Sequence, residues 1–141
     1  MASGNFNITG APASSNAAVQ FKSQIVDAIN QTFPSLQDVL NTCPGANPLV
    51  CQSKYDTAAR AYAQLGDKYF NIAGTAPTQC TDLFTRVNKL RIEGNKWFTA
   101  PYTKTAQGWI DRNEAINRAT QARLWLVEAE RVIAQEPGTC R

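Results

Sequence analysis

Apolar side chains recur at steps of three and four residues along most of this chain, and this spacing restricts the fold to packed helices. The first series consists of Ala18, Phe21, Ile25, Ile29 and Phe33. Residues with this spacing share one face of an α-helix, so the series predicts an amphipathic helix that is capped by Ser14 or Ser15. Pro34 should end that helix, because proline has no backbone donor and its ring clashes with the preceding turn. A short second helix is then expected over residues 35–40.

The same spacing predicts three further long helices. Asn47 and Pro48 combine an N-cap side chain with proline at the first helical position, and the helix that they start should end at Gly74. Two more helices are expected over residues 78–98 and roughly 105–135. No segment shows the sustained polar and apolar alternation of strands joined by hairpin turns. The predicted fold class is therefore all-α, an up-and-down bundle of four long helices plus one short helix.

The first fourteen residues differ in composition from the rest of the chain. They are rich in glycine, alanine, serine, asparagine and proline, and no charged side chain occurs before Lys22. Their large apolar residues are Phe6 and Ile8. This composition is typical of an extended arm, so we predict an N-terminal arm over residues 1–14 and a helical bundle domain over residues 15–141.

The four cysteines restrict the fold further, because the order of the helices allows few ways to pair them. An antiparallel bundle brings Cys43 and Cys51 to one end and Cys80 and Cys140 to the other, so we predict the disulfides Cys43–Cys51 and Cys80–Cys140. The alternative is four free thiols in the core, where unpaired cysteine is common. No spacing is the C-x2-C of a zinc site and no histidine could complete one, so no metal is expected.

Disulfides also bear on the compartment in which the protein works. They persist in oxidising surroundings, yet the N-terminal sequence has neither the basic stretch nor the apolar stretch of a secretory signal peptide. A virion subunit reconciles these features, because it is made in a reducing cytosol and meets oxidising conditions when cell lysis releases the particle. The alternative is a secreted or periplasmic protein whose signal has been removed.

The composition argues against several classes of activity. Histidine is absent, which removes Ser-His catalysis, Cys-His catalysis and histidine-ligated metal sites. Gly94-Asn95-Lys96 lacks the earlier glycine of a phosphate-binding loop. The net charge of +3 is small for a nucleic-acid-binding protein, and no apolar run approaches the roughly 18 residues of a membrane span. We therefore expect no enzymatic activity, no cofactor, no nucleic-acid partner and no membrane span.

Acidic and basic side chains are interspersed along the last predicted helix. The carboxylates belong to Asp111, Glu114, Glu128 and Glu130, and the guanidinium groups belong to Arg112, Arg118, Arg123 and Arg131. Opposite charges that lie three or four residues apart form ion pairs on exposed helix surfaces. We therefore expect all of these residues on a solvated face.

Two apolar clusters are candidates for contacts with other proteins. Four consecutive large apolar residues, Leu124-Trp125-Leu126-Val127, cover every direction around a helix. Either this helix is central and enclosed by the others, or the turn lies in a subunit interface, where tryptophan is favoured. Trp97-Phe98 forms a second cluster near one end of the bundle. The candidate interface residues are Phe6, Ile8, Trp97, Phe98, Leu124 and Trp125.

These observations favour a protein that works by contact. The first hypothesis is a structural or assembly protein, specifically a bacteriophage-type virion subunit, whose partners are copies of itself or other virion components. The second is a secreted or periplasmic binding module held together by disulfides, such as an inhibitor or an immunity-type protein, which would present a rigid preformed surface.

Overall fold

The computed structural model describes residues 13–45 and 47–140, so the predicted contacts of Phe6 and Ile8 lie outside the described residues. The helices are α1 (Ala13–Thr42), α2 (Pro48–Ala73), α3 (Thr81–Thr99) and α4 (Arg112–Gln135), and a single 3-10 turn (Thr78–Cys80) precedes α3. Within the described residues the β contacts are limited to an isolated bridge between Lys104 and Ile110. The predicted all-α class and the four long helices are confirmed.

The first helix continues through Pro34, so the predicted break and the separate helix over residues 35–40 are wrong. Leu36 and Val39 are fully buried and extend the apolar face of α1 past the proline. Each buried side chain of this size contributes roughly 1.5–3 kcal/mol, which together offsets the roughly 3 kcal/mol that proline costs inside a helix. Pro34 and Asn30 both lie on the exposed side of α1, so the carbonyl group that loses its helical donor is near solvent.

The start of α2 agrees with the prediction. Asn47 has an extended backbone, and its side-chain oxygen accepts a hydrogen bond from the N–H of Val50 at 3.0 Å. Pro48 occupies the first helical position, where its missing N–H would have had no helical partner in any case. Gly74 follows the last residue of α2, as expected.

The start of α4 differs from the prediction, because residues 105–111 form a loop. Gly108 adopts a φ of 89°, which falls in the left-handed region and cannot continue a right-handed helix. The helix begins after Asp111, whose carboxylate accepts a hydrogen bond from the N–H of Glu114 at 3.2 Å. Trp109, which falls within the helix predicted over residues 105–135, therefore lies in the loop.

The first and last helices of the bundle run in opposite directions. The ammonium group of Lys22, near the start of α1, donates to the carbonyl oxygens of Glu136 and Pro137 just beyond α4, at 3.0 Å and 3.1 Å.

The core combines large side chains of α2 with small ones of α4. The former are Tyr55, Tyr62 and Tyr69, and the latter are Ala115, Ala119, Ala122 and Ala129. Large and small residues on facing helices fill the space between them without voids.

Both predicted disulfides are confirmed, and no free cysteine remains in the described part of the chain. Cys43 and Cys51 join the turn between α1 and α2, with their Cα atoms 4.7 Å apart. Cys80 and Cys140 join the start of α3 to the segment after α4, with their Cα atoms 5.1 Å apart. The two bonds therefore close opposite ends of the bundle.

The two disulfides should contribute unequally to stability. Cys80 and Cys140 are 60 residues apart and Cys43 and Cys51 only 8, so the first bond restricts the unfolded chain more. The double variant C80A/C140A should lose about 4 kcal/mol of unfolding free energy and C43A/C51A about 2.6 kcal/mol. Urea denaturation followed by circular dichroism measures both losses. Equal losses, or a larger loss for C43A/C51A, would contradict this expectation.

Candidate interaction surface

The four-residue apolar turn of α4 divides between the core and the surface. Leu126 is fully buried, and Trp125 is half-buried. Leu124 and Val127 lie on the solvent side, with 52% and 41% of their surface exposed. Hence α4 is not a central helix enclosed on all sides, and this turn presents two branched aliphatic side chains outward.

Leu124 and Val127 lie at the centre of a regular series of outward-facing positions. We call this series the α4 outer stripe; it consists of Asn113, Asn117, Thr120, Leu124, Val127, Arg131 and Ala134. All seven are exposed except Thr120, which is half-buried. The steps alternate between four and three residues, which is the spacing of a seam between two helices. The stripe lies opposite the alanines that α4 turns toward its own core.

Two opposite charges flank the α4 outer stripe on the side that faces α1. Arg123 and Glu130 are both half-buried, and neither forms a salt bridge with another described residue. The guanidinium carbon of Arg123 lies 5.6 Å from the centre of the Phe33 ring. Burial raises the pKa of Glu130, and the positive charge of Arg123 acts against that rise. By contrast, Glu128 and Arg131 form a salt bridge with each other within α4.

The second predicted cluster separates into an inner and an outer residue. Phe98 faces the core, where the centre of its ring lies 5.4 Å from that of Tyr55 and 5.5 Å from that of Tyr62. Trp97 is half-buried at the end of α3, as is Trp125 on α4. Phe98 therefore has a packing role, whereas the two tryptophans keep part of their surface accessible.

Arg118 was expected on a solvated face, and this expectation is wrong, since only 6% of its surface is exposed. Its guanidinium group donates to the carbonyl oxygens of Trp97, Ala100 and Pro101 at 2.7, 2.6 and 2.7 Å. It also forms an ion pair with Glu114 at 2.9 Å. The last carbonyl groups of a helix lack helical donors, so Arg118 satisfies the end of α3.

Gln52 is a second buried polar residue that sequence reasoning missed. Its side-chain oxygen accepts from the N–H of Ile110 at 2.6 Å. Its side-chain nitrogen donates to Asp56 at 2.9 Å and to the hydroxyl of Tyr102 at 3.3 Å. Gln52 thus connects the loop before α4 to the start of α2. Its side-chain oxygen and nitrogen both form hydrogen bonds that stabilise the fold.

Three tyrosines on one face of α2 have buried hydroxyl groups. The side-chain oxygens of Tyr55, Tyr62 and Tyr69 have no hydrogen-bond partner within the described residues. Burial raises the pKa of all three. A Cβ atom at Gly94 of α3 would lie 1.9 Å from the Tyr62 oxygen and 2.8 Å from its ring carbon Cζ, so Tyr62 requires glycine at this position.

Neither a membrane span nor a metal-ligand cluster occurs in the part of the chain that the structure describes. None of its helices is long and apolar enough to cross a bilayer, and no three histidine, cysteine, aspartate or glutamate residues come together as metal ligands. Comparison with models of known protein families, with curated proteins and with solved structures found no match to this chain.

The contact between Tyr62 and Gly94 can be tested by a double-mutant cycle. Gly94→Ala should lower the unfolding free energy by about 1–3 kcal/mol, because the added methyl overpacks the core. Tyr62→Phe removes only an unpartnered hydroxyl and should change stability little. The double variant Y62F/G94A should recover at least about 1 kcal/mol of the loss in G94A, as coupled neighbours do. Urea denaturation measures the cycle, and strictly additive effects would show that the two residues do not touch.

Proposed function

We propose that this protein is a non-enzymatic structural or assembly protein that acts through protein–protein contacts made by the outer surface of α4. The observation that carries this proposal is the exposure of Leu124 and Val127 at the centre of the α4 outer stripe. Water around two adjacent branched aliphatic side chains is released when a partner covers them, and this release favours association.

The chemistry of the interior supports contact rather than catalysis. Arg118 and Gln52, the buried polar residues with the most hydrogen bonds, are satisfied by backbone groups and neighbouring side chains. A catalytic group needs an accessible reactive atom. The polar atoms of Arg118 and Gln52 are instead buried and form hydrogen bonds within the fold. The chain also contains no histidine.

Within this class we favour a virion subunit of the bacteriophage type, with other subunits of the particle as partners. Two intramolecular disulfides are consistent with a protein that works outside the cytoplasm. They also support the second candidate, a secreted or periplasmic binding module. A bundle locked at both ends presents its surface in one conformation, which reduces the entropy lost on binding. Sedimentation of native particles separates the candidates, because a virion subunit remains with the particle and a secreted module does not.

A photo-crosslinking amino acid at Leu124 tests the proposed contact surface in the native source. It should link the chain to a defined protein, identified by mass spectrometry, because Leu124 lies at the centre of the surface. The matched control carries the same amino acid at Lys89, an exposed position on α3. Adducts at residue 124 but not at residue 89 support the proposal. No adduct at residue 124, or the same adducts at both positions, would overturn it.

A further inference from the structure

We propose that the α4 outer stripe is self-complementary, and that its partner is α4 of a second copy of this chain, packed in the antiparallel direction about a two-fold axis. This inference rests on the proposed function, because it names the partner of the same surface. It is carried by three features of α4, which are the spacing of the stripe, the position of Arg131 within it, and two flanking charges that form no salt bridge with another described residue.

The spacing of the stripe fits one more helix. Seven outward positions at alternating steps of four and three residues average 3.5 residues per turn, the repeat with which two helices pack along a common seam. The apolar pair Leu124 and Val127 lies in the middle, and polar residues occupy the ends. An apolar centre with a polar rim is the usual arrangement of a reversible interface.

Arg131, the single charged residue of the stripe, selects the direction of the second helix. A parallel pair would place Arg131 of one copy against Arg131 of the other and so bring like charges together. A two-fold axis between Leu124 and Val127 avoids this, because each residue then faces the position at equal distance on the other side of the axis. Leu124 packs against Val127 of the second copy, and Arg131 lies opposite Thr120 of the second copy. The antiparallel direction is therefore favoured.

The same axis pairs the two flanking charges. Arg123 and Glu130 lie on one side of the stripe, seven residues apart, and neither forms a salt bridge with another described residue of its own chain. In the antiparallel arrangement the same flank of each copy meets, so the nearest charge to Arg123 across the seam is Glu130 of the second copy, displaced along the axis by two residues, or about 3 Å, from the position at equal distance, and symmetry forms this pair twice. On the other side, Gln121 lies within the same two-residue offset of Glu128 of the second copy, which allows a hydrogen bond to a carboxylate. Both flanks are thus complementary to themselves.

A contact centred on one helix per copy is small by the standard of stable complexes. Interfaces below roughly 1,200 Å² belong mostly to weak and reversible encounters, so we expect a dimer with a micromolar dissociation constant. Sedimentation velocity on the purified, oxidised full chain, from about 1 to about 500 µM, covers this range. The wild-type chain should change from monomer to dimer as its concentration rises.

Two substitutions locate the contact. Leu124→Glu should abolish the dimer at every concentration, because it places a charge at the apolar centre. Phe70→Glu on α2 is the matched control, since Phe70 is a large apolar residue of another helix with 79% of its surface exposed. The F70E variant should dimerise like the wild type. A dimer that survives L124E, or is lost in F70E, would overturn the proposed surface.

Charge exchange tests the antiparallel pairing. Arg123→Glu and Glu130→Arg should each weaken dimerisation by about tenfold or more, because each places like charges opposite each other twice. The double variant R123E/E130R restores opposite charges and should return the dissociation constant to within about threefold of the wild type. Thermal unfolding of the dilute monomers checks that each variant is folded. A double variant no stronger than the single ones would overturn the antiparallel arrangement.

Failure of this inference is distinct from failure of the proposed function. A wild-type chain that stays monomeric at about 500 µM, far above a micromolar dissociation constant, while residue 124 crosslinks to a different protein, overturns self-association and leaves the contact function standing. A monomeric chain without any crosslink at residue 124 overturns both.

Discussion

Two disulfides, one at each end of the bundle, are the constraint on which the rest of the structure depends. Cys43–Cys51 holds the turn between α1 and α2, and Cys80–Cys140 holds α3 and α4 in register. A slip of α4 along α3 by one helical turn, about 5.4 Å, would carry the Cα atoms of Cys80 and Cys140 beyond the roughly 7 Å that a disulfide spans. This register also aligns Arg118 with the last carbonyl groups of α3.

The division of α4 into two faces follows from what α2 contributes to the core. Tyrosines of α2, with Gly94 of α3 beneath the hydroxyl of Tyr62, fill the space that larger side chains of α4 would otherwise occupy. The inner face of α4 is therefore made mostly of alanine, and its stability comes from close approach rather than from large buried side chains. Leu124 and Val127 are not part of this core and lie on the outer face of α4, where they are exposed.

Much of the fold follows from local rules that the sequence displays directly. The cap at Asn47, the apolar spacing of the helices and the order of the cysteines predict the bundle and both disulfides. The predicted helix break at Pro34 is wrong because the burial of Leu36 and Val39 beyond it outweighs the local cost of proline. That burial depends on residues of other helices, which the local sequence does not show. The predicted exposure of Arg118 is also wrong. An arginine on a helix rich in charged residues indicates a solvent-exposed position unless the end of α3 is known to lie beside it. The one local sign was its place within the alanine series of α4.

The two disulfides are tested by the intact mass of the protein from its native source, measured with and without reduction at a resolution that counts hydrogens. Two disulfides and no free cysteine in the described residues predict a gain of four hydrogens on reduction, two for each bond. Peptide mapping of the unreduced protein should then recover Cys43 with Cys51 and Cys80 with Cys140. An unchanged mass, or a different pairing, would contradict the constraint that sets the register of the bundle and, with it, the surface of α4.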